Sequence, residues 1–216
     1  MLSLTVLVQA LGLAYAAGLN LYATVAIVGL SERIGWIGPL PGSLALLGSW
    51  WVIAIALVLF ALEFTATLVP GIASAWETLH SLVRPPAAAV LAASTAWHLD
   101  PVLVLVAALL GGVTAATTHA TKLGVRYAID ASPEPVTNGA ANITELGVVA
   151  ALSMFIWHHP FISFACAIAL LLALIVTVRL IWRMLRRVFS GQWAPSRGFL
   201  QAARVTECRP VEQEKP

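Results

Sequence analysis

Apolar residues run in long blocks along this chain, and polar positions are confined to the breaks between them. Six blocks stand out, over residues 4–29, 49–69, 85–97, 101–119, 142–157 and 161–185. A bilayer core of roughly 30 Å takes about 20 apolar residues per helix, so blocks of this kind read as membrane spans. Pro70-Gly71 stops the second block, and Pro85-Pro86 opens the third, because proline suits a first helical turn. His98-Leu99-Asp100 and His158-His159-Pro160 mark turns. The third block is short for a span and also reads as a re-entrant half-helix. The expected fold is an all-α polytopic membrane protein with about six transmembrane helices. Residues 1–189 form the membrane domain, and 190–216 a basic, disordered cytoplasmic tail. Ala14-Tyr15-Ala16 resembles a signal-peptidase site, but no Lys or Arg precedes it and the apolar run continues beyond. The first block is therefore read as the first span.

Composition agrees. Hydrophobic residues make up 60% of 216 positions and charged residues 10%, with a mean hydropathy of +0.89. Soluble domains carry about 25% charged residues, so lipid has to solvate part of this surface. The net charge is only +2, but eight of the twelve basic residues lie from Arg179 onward. Such a block is expected to stay cytoplasmic and to meet anionic lipid headgroups. With six spans both chain ends share one side, and that side receives the 70–84 loop, the 120–141 loop and the tail. Eleven basic residues then lie there, and Arg33 alone lies opposite. No nucleic-acid-binding fold surrounds the arginines, so no nucleic-acid partner is expected. The two cysteines, Cys166 and Cys208, imply neither a disulfide framework nor a metal motif. The bilayer is the expected partner, and a homo-oligomer stays open.

An offset of 99 residues aligns the first block with the fourth, setting Gly12 on Gly111 and Asn20 on His119. Two consecutive halves of three spans would be inverted relative to one another, a common transporter architecture.

Polar groups inside the apolar blocks are the candidate chemistry, because a charge near the bilayer centre costs about 2.5–3.5 kcal/mol on insertion scales. Glu63 is the clearest case, a carboxyl suited to carry a proton or bind a cation. Glu145 is similar, although Asn142-Ile143-Thr144-Glu145 also reads as a first helical turn in which an acid favours the dipole. His119 and Lys122 are three apart and share a face if the helix continues. Together with Thr114, Thr117, Thr118 and Thr121 they suggest an anion site or a cavity mouth. The plainer alternative is a helix end entering water, with Lys122 and Arg126 fixing topology. Asn20, near Tyr15 and Tyr22, is a candidate lining residue or a single interhelical hydrogen bond. Ser132-Pro133-Glu134-Pro135 reads as a stiff loop. No nucleophile motif, phosphate loop or zinc signature occurs, so neither a metal nor a cofactor is expected, and a lipid-acting enzyme ranks last.

Several of these pieces, in this order, resemble the bacterial membrane family called domain of unknown function 4126. They are Gly18-Leu19-Asn20-Leu21-Tyr22-Ala23, Glu63 followed by Pro70-Gly71, Trp76, Arg84-Pro85, His119-Ala120-Thr121-Lys122, Ser132-Pro133-Glu134-Pro135 with Asn138, Glu145 and His159-Pro160. The resemblance covers roughly residues 10–190 and implies a membrane domain of shared topology, placed in the bacterial inner membrane, with no reaction attached. Relatives often carry Asp-Lys before the Pro-Gly, where this chain has Thr67-Leu68, and Asp after the second Glu, where it has Leu146. The leading expectation is a small-solute or ion transporter, not an enzyme, with Asn20, Glu63, His119, Lys122 and Glu145 lining its cavity. The alternative is a scaffold whose basic tail recruits lipid or a partner.

Overall fold

The computed structural model describes residues 2–69, 71–130 and 135–189. The expected tail over 190–216 and the Ser132-Pro133-Glu134 part of the stiff loop lie outside them. The chain divides into two units, Met1–Val178 and one from Arg179 onward, and the elements that build the site belong to the first. All regular structure among the described residues is helical. In order come α1 (Leu2–Leu19), α2 (Leu21–Arg33), a 3-10 helix (Gly42–Gly48), α3 (Trp50–Ala66), α4 (Ile72–His80), α5 (Arg84–Thr95), α6 (Pro101–Asp130), α7 (Pro135–His158) and α8 (Pro160–Phe189).

The block over 4–29 is not one span. Asn20 interrupts it with an extended backbone (φ −148°, ψ 104°), and its Oδ1 accepts a hydrogen bond from Ala23 N at 2.9 Å. Asparagine is a favoured N-cap because its amide oxygen satisfies an orphaned N–H of the next helix. The chain also reverses at this residue. Gly12 packs on Ile156 and Asn20 reaches Glu145, whereas Ser31 reaches Met154. Hence α1 runs antiparallel to α7 and α2 runs parallel to it. Together they form a helical hairpin with Asn20 at the tip.

Small residues seat this hairpin at the centre of the fold. Ala10, Leu13, Ala14, Ala16 and Ala17 are fully buried, and α1 packs on α5, α6 and α7. At Gly18 a Cβ would come within 2.8 Å of the Ala115 main chain, so only glycine permits this approach of α1 to α6. Irregular backbone at membrane depth requires burial in protein, and the tip has it.

The expected loop over 70–84 is instead largely helical. Gly71, at φ +83°, opens α4 in a conformation that glycine tolerates best. Asp130 at the end of α6 accepts from Gly71 N and Ser74 N, both at 3.2 Å, and from the Ser74 hydroxyl, so it caps α4 from across the fold. Farther along, Thr78 meets Tyr127, Ser81 meets His119, and Ala92 packs on Gly111. Consequently α4 and α5 together run antiparallel along α6. The short third block is the apolar second half of this path; α5 has 12 residues and reaches only about 18 Å by itself.

The described residues of the expected 120–141 loop are helical too. α6 continues to Asp130, and α7 already begins at Pro135. Glu145 therefore lies well inside α7 and not in its first turn, and Arg84, Lys122 and Arg126 are buried, not solvated topology markers. The 99-residue alignment sets a hairpin tip, Asn20, against His119 in an unbroken helix, so the first elements of the two halves differ.

Polarity is arranged inside out. Large apolar side chains such as Trp51, Val58, Leu105, Val113 and Ile162 are exposed, while Glu63, Glu77, Arg84, Lys122 and Arg126 are buried. Among the described residues α6, α7 and α8 are long and apolar enough to cross a membrane. The 3-10 helix with α3, bent by 67°, makes a fourth if counted as one span. Exposed hydrocarbon of this extent belongs against lipid, which marks a membrane protein.

Candidate functional site

The hairpin tip brings four helices to one point. Asn20 Nδ2 donates to Glu63 Oε1 of α3 and to Glu145 Oε1 of α7, each at 3.0 Å. Because α1 ends at Leu19, the Leu19 carbonyl is freed, and Lys122 Nζ of α6 donates to it at 2.7 Å. The same ammonium stands 2.8 Å from Glu145 Oε1, 2.7 Å from Glu77 Oε1 and 3.7 Å from Glu63 Oε1. All five residues singled out in the sequence thus meet here, with His119 at the far side of Glu77.

Two charged residues that sequence reasoning left outside the site complete this centre. Arg84 is fully buried and bridges two carboxylates, Glu63 at 2.5 Å through Nη2 and Glu77 at 2.6 Å through Nη1. Its Nη1 also donates to His119 Nδ1 at 2.8 Å. A guanidinium only donates, so Nδ1 must accept, and His119 is the neutral tautomer with its proton on Nε2. That Nε2 lies 3.0 Å from the Glu77 carbonyl, which takes the proton in a hydrogen bond. His80 follows the same logic. Its Nδ1 lies 2.8 Å from the Trp76 carbonyl and donates there, leaving Nε2 to accept from the Tyr22 hydroxyl at 3.1 Å.

A second layer ties α6 and α7 to the end of α3. Arg126 donates to Asn142 Oδ1 at 2.7 Å and to Asn138 Oδ1 at 3.2 Å. Asn142 in turn donates to Thr67 Oγ1 at 2.9 Å, and Thr67 donates to the Glu63 carbonyl at 2.8 Å. Three carboxylates, Glu63, Glu77 and Glu145, therefore face three cations, Arg84, Lys122 and Arg126. Buried charges persist only when paired and hydrogen-bonded, so this balance is what lets the cluster exist among apolar helices. Within the cluster Glu63 Oε2, Glu77 Oε1 and Arg84 Nε are buried with no hydrogen-bond partner among the described residues, and of these Glu63 Oε2 also lacks a close cation. A cavity of about 10 Å³, the size that admits a single water, is lined by Asn20, Glu63, Thr67, Arg126, Asn142 and Glu145.

The threonines of α6 contribute less than expected. Thr117 and Thr121 donate to the carbonyls four residues earlier in their own helix. No group of three metal-ligating side chains occurs among the described residues. The missed residues did carry a signal. Ala73, Glu77, His80 and Arg84 fall at helical spacing on one buried face, and His119, Lys122 and Arg126 do so on α6.

No curated protein and no solved structure matches this chain. A family model does, described as "Domain of unknown function (DUF4126)", over residues 7–180. That stretch holds the whole charge cluster and the hairpin that carries Asn20, and the chain belongs to the DUF4126 family.

Proposed function

We propose that this protein is a small-solute or ion transporter whose path passes through the charge cluster at the hairpin tip. One observation carries the reading: a buried helical hairpin delivers Asn20 onto two carboxylates, next to a freed main-chain carbonyl held by Lys122. Broken helices whose ends meet polar groups inside the membrane are where transporters bind substrates and coupling ions. A purely structural core could be built more stably from apolar side chains, since replacing buried ion pairs with hydrophobes is often neutral or stabilising.

Each residue has a role in this proposal. Glu63 exchanges a proton or cation at Oε2, the oxygen that no neighbour engages. Loss of its charge frees Arg84 to shift toward Glu77. Lys122 and Glu145 gate the other side of Asn20, and His119 orients the Arg84 guanidinium. The proposed topology has five crossings, by α3, α4 with α5, α6, α7 and α8, plus the hairpin entering from the side opposite Asp130. The side of Asp130 is cytoplasmic in the inner membrane, in keeping with the C-terminal arginines.

The test is reconstitution of the purified chain into vesicles with a trapped pH-sensitive dye, challenged with imposed gradients of inorganic ions and small organic ions. At least one gradient should drive proton movement, and Glu63→Gln should abolish it while elution and thermal unfolding stay as in the unmodified protein. Equal rates in Glu63→Gln would overturn the mechanism, as would a chain silent across all gradients.

A further inference from the structure

Beside the cluster, α6, α7 and α8, with Leu19 of α1, line an open groove of about 320 Å³. Its size falls within the roughly 300–1,000 Å³ of small-molecule sites. Val125 and Ile129 of α6, Val148 of α7 and Leu170 of α8 form apolar walls, while Lys122, Arg126 and Glu145 line it where it meets the cluster. α6 and α7 make few direct contacts, so the space between their facing stripes is left open. An open apolar groove of this size admits an alkyl chain.

Arg126 specifies the head of that occupant. Arg84 and Lys122 both reach carboxylates within 3 Å, at 2.5 Å and 2.7 Å for the shortest pairs. Arg126 is equally buried, yet its hydrogen bonds among the described residues go to the neutral amides of Asn138 and Asn142, and the Glu145 carboxylate stands 3.8 Å away. Glu145 is itself engaged by Lys122 at 2.8 Å. A buried guanidinium whose carboxylate stands 3.8 Å off, beyond hydrogen-bond distance, at the foot of an apolar groove, leaves a place for an oxyanion carried on an alkyl chain. Its planar fork suits a carboxylate bidentately. The volume takes one chain rather than two.

We propose that this groove binds a single-chain lipid carboxylate, an amphiphile of the fatty-acid class, with its head on Arg126 and its chain along Val125, Val148 and Leu170. The inference stands apart from the transport reading, because binding at Arg126 requires no proton exchange at Glu63.

The experiment is equilibrium binding of radiolabelled laurate to the full chain in nonionic detergent. Laurate should bind saturably, and unlabelled dodecyltrimethylammonium, a cation of equal chain length, should fail to displace it, as should acetate. Arg126→Gln should weaken binding by about ten- to a hundredfold, the range of a charge-assisted hydrogen bond. Ala141→Phe, which keeps every charge and fills the groove from a half-buried wall position, should weaken it similarly and serves if Arg126→Gln does not fold. Displacement by the cationic amphiphile, or full affinity in Ala141→Phe, overturns the proposal. Absent laurate binding with displaceable binding of a two-chain anionic phospholipid overturns it too, in favour of a phospholipid site.

Discussion

Lys122 shows how tightly the cluster is bound together. Its ammonium serves a main-chain carbonyl and two carboxylates on α4 and α7, so losing it strands charge on two helices. Lys122→Met is expected to cost about 3–5 kcal/mol, as when one partner of a buried pair is removed. Denaturant unfolding in detergent measures it. Lys122→Met with Glu145→Gln should recover part of the loss, because the stranded carboxylate then becomes neutral. Simple additivity of the two variants would contradict a coupled cluster. At this scale the sequence was informative where a charge interrupts an apolar block: Glu63, Lys122 and Glu145 are improbable in lipid unless paired. Glu77 and Arg84 escaped because their segment has the composition of a loop. Only their partners reveal that they are buried.

At the scale of elements, the hairpin tip is the feature that hydropathy does not register. A count of apolar residues is the same whether the chain runs straight through residue 20 or turns back. Asn20 decides it, since its amide caps α2 and its Nδ2 needs the two carboxylates. As a cap alone, Asn20→Asp should be neutral and Asn20→Ala should cost about 0.5–2 kcal/mol. At this tip the order should invert: Asn20→Asp places a further carboxylate 3.0 Å from Glu63 and Glu145 and should be the more damaging, by thermal unfolding. Aspartate tolerated as well as asparagine would mean that the contacts to the carboxylates matter little. Gly18→Leu tests the seat of the hairpin. The main chain of Ala115 leaves no room for a side chain, and overpacking of this kind costs about 1–3 kcal/mol.

For the whole molecule, the reversal at Asn20 changes, in the proposed topology, the side on which the chain begins. Six straight spans place both ends together. The hairpin instead places the start of α1 near the His158 end of α7, while Val178 of α8 packs on Gly124, toward Asp130. In the proposed topology, side-specific reporters placed before Leu2 and at Gly71 should report opposite faces of the membrane. The same face for both would restore an even number of crossings. The charge asymmetry that argued for an even number relied on Arg84, Lys122 and Arg126 as loop cations, and all three are buried.

The chain by itself determined the class of this protein and half of its site. Long apolar blocks require helices in lipid, and an isolated acid or amide inside such a block requires partners; both are local statements that composition and spacing express. The DUF4126 motifs were legible for the same reason, as short runs of residues. Tertiary structure decided the hairpin, the first half, through α4, of the path that α5 completes, and the pairing of three acids with three bases. Most of these contacts join groups far apart in sequence, as Arg84 meets Glu63 across 21 residues and Asn20 meets Glu145 across 125. Electrostatic pairing acts through space, and of the acid–base pairs only Glu77 with Arg84 falls within a short window of the chain.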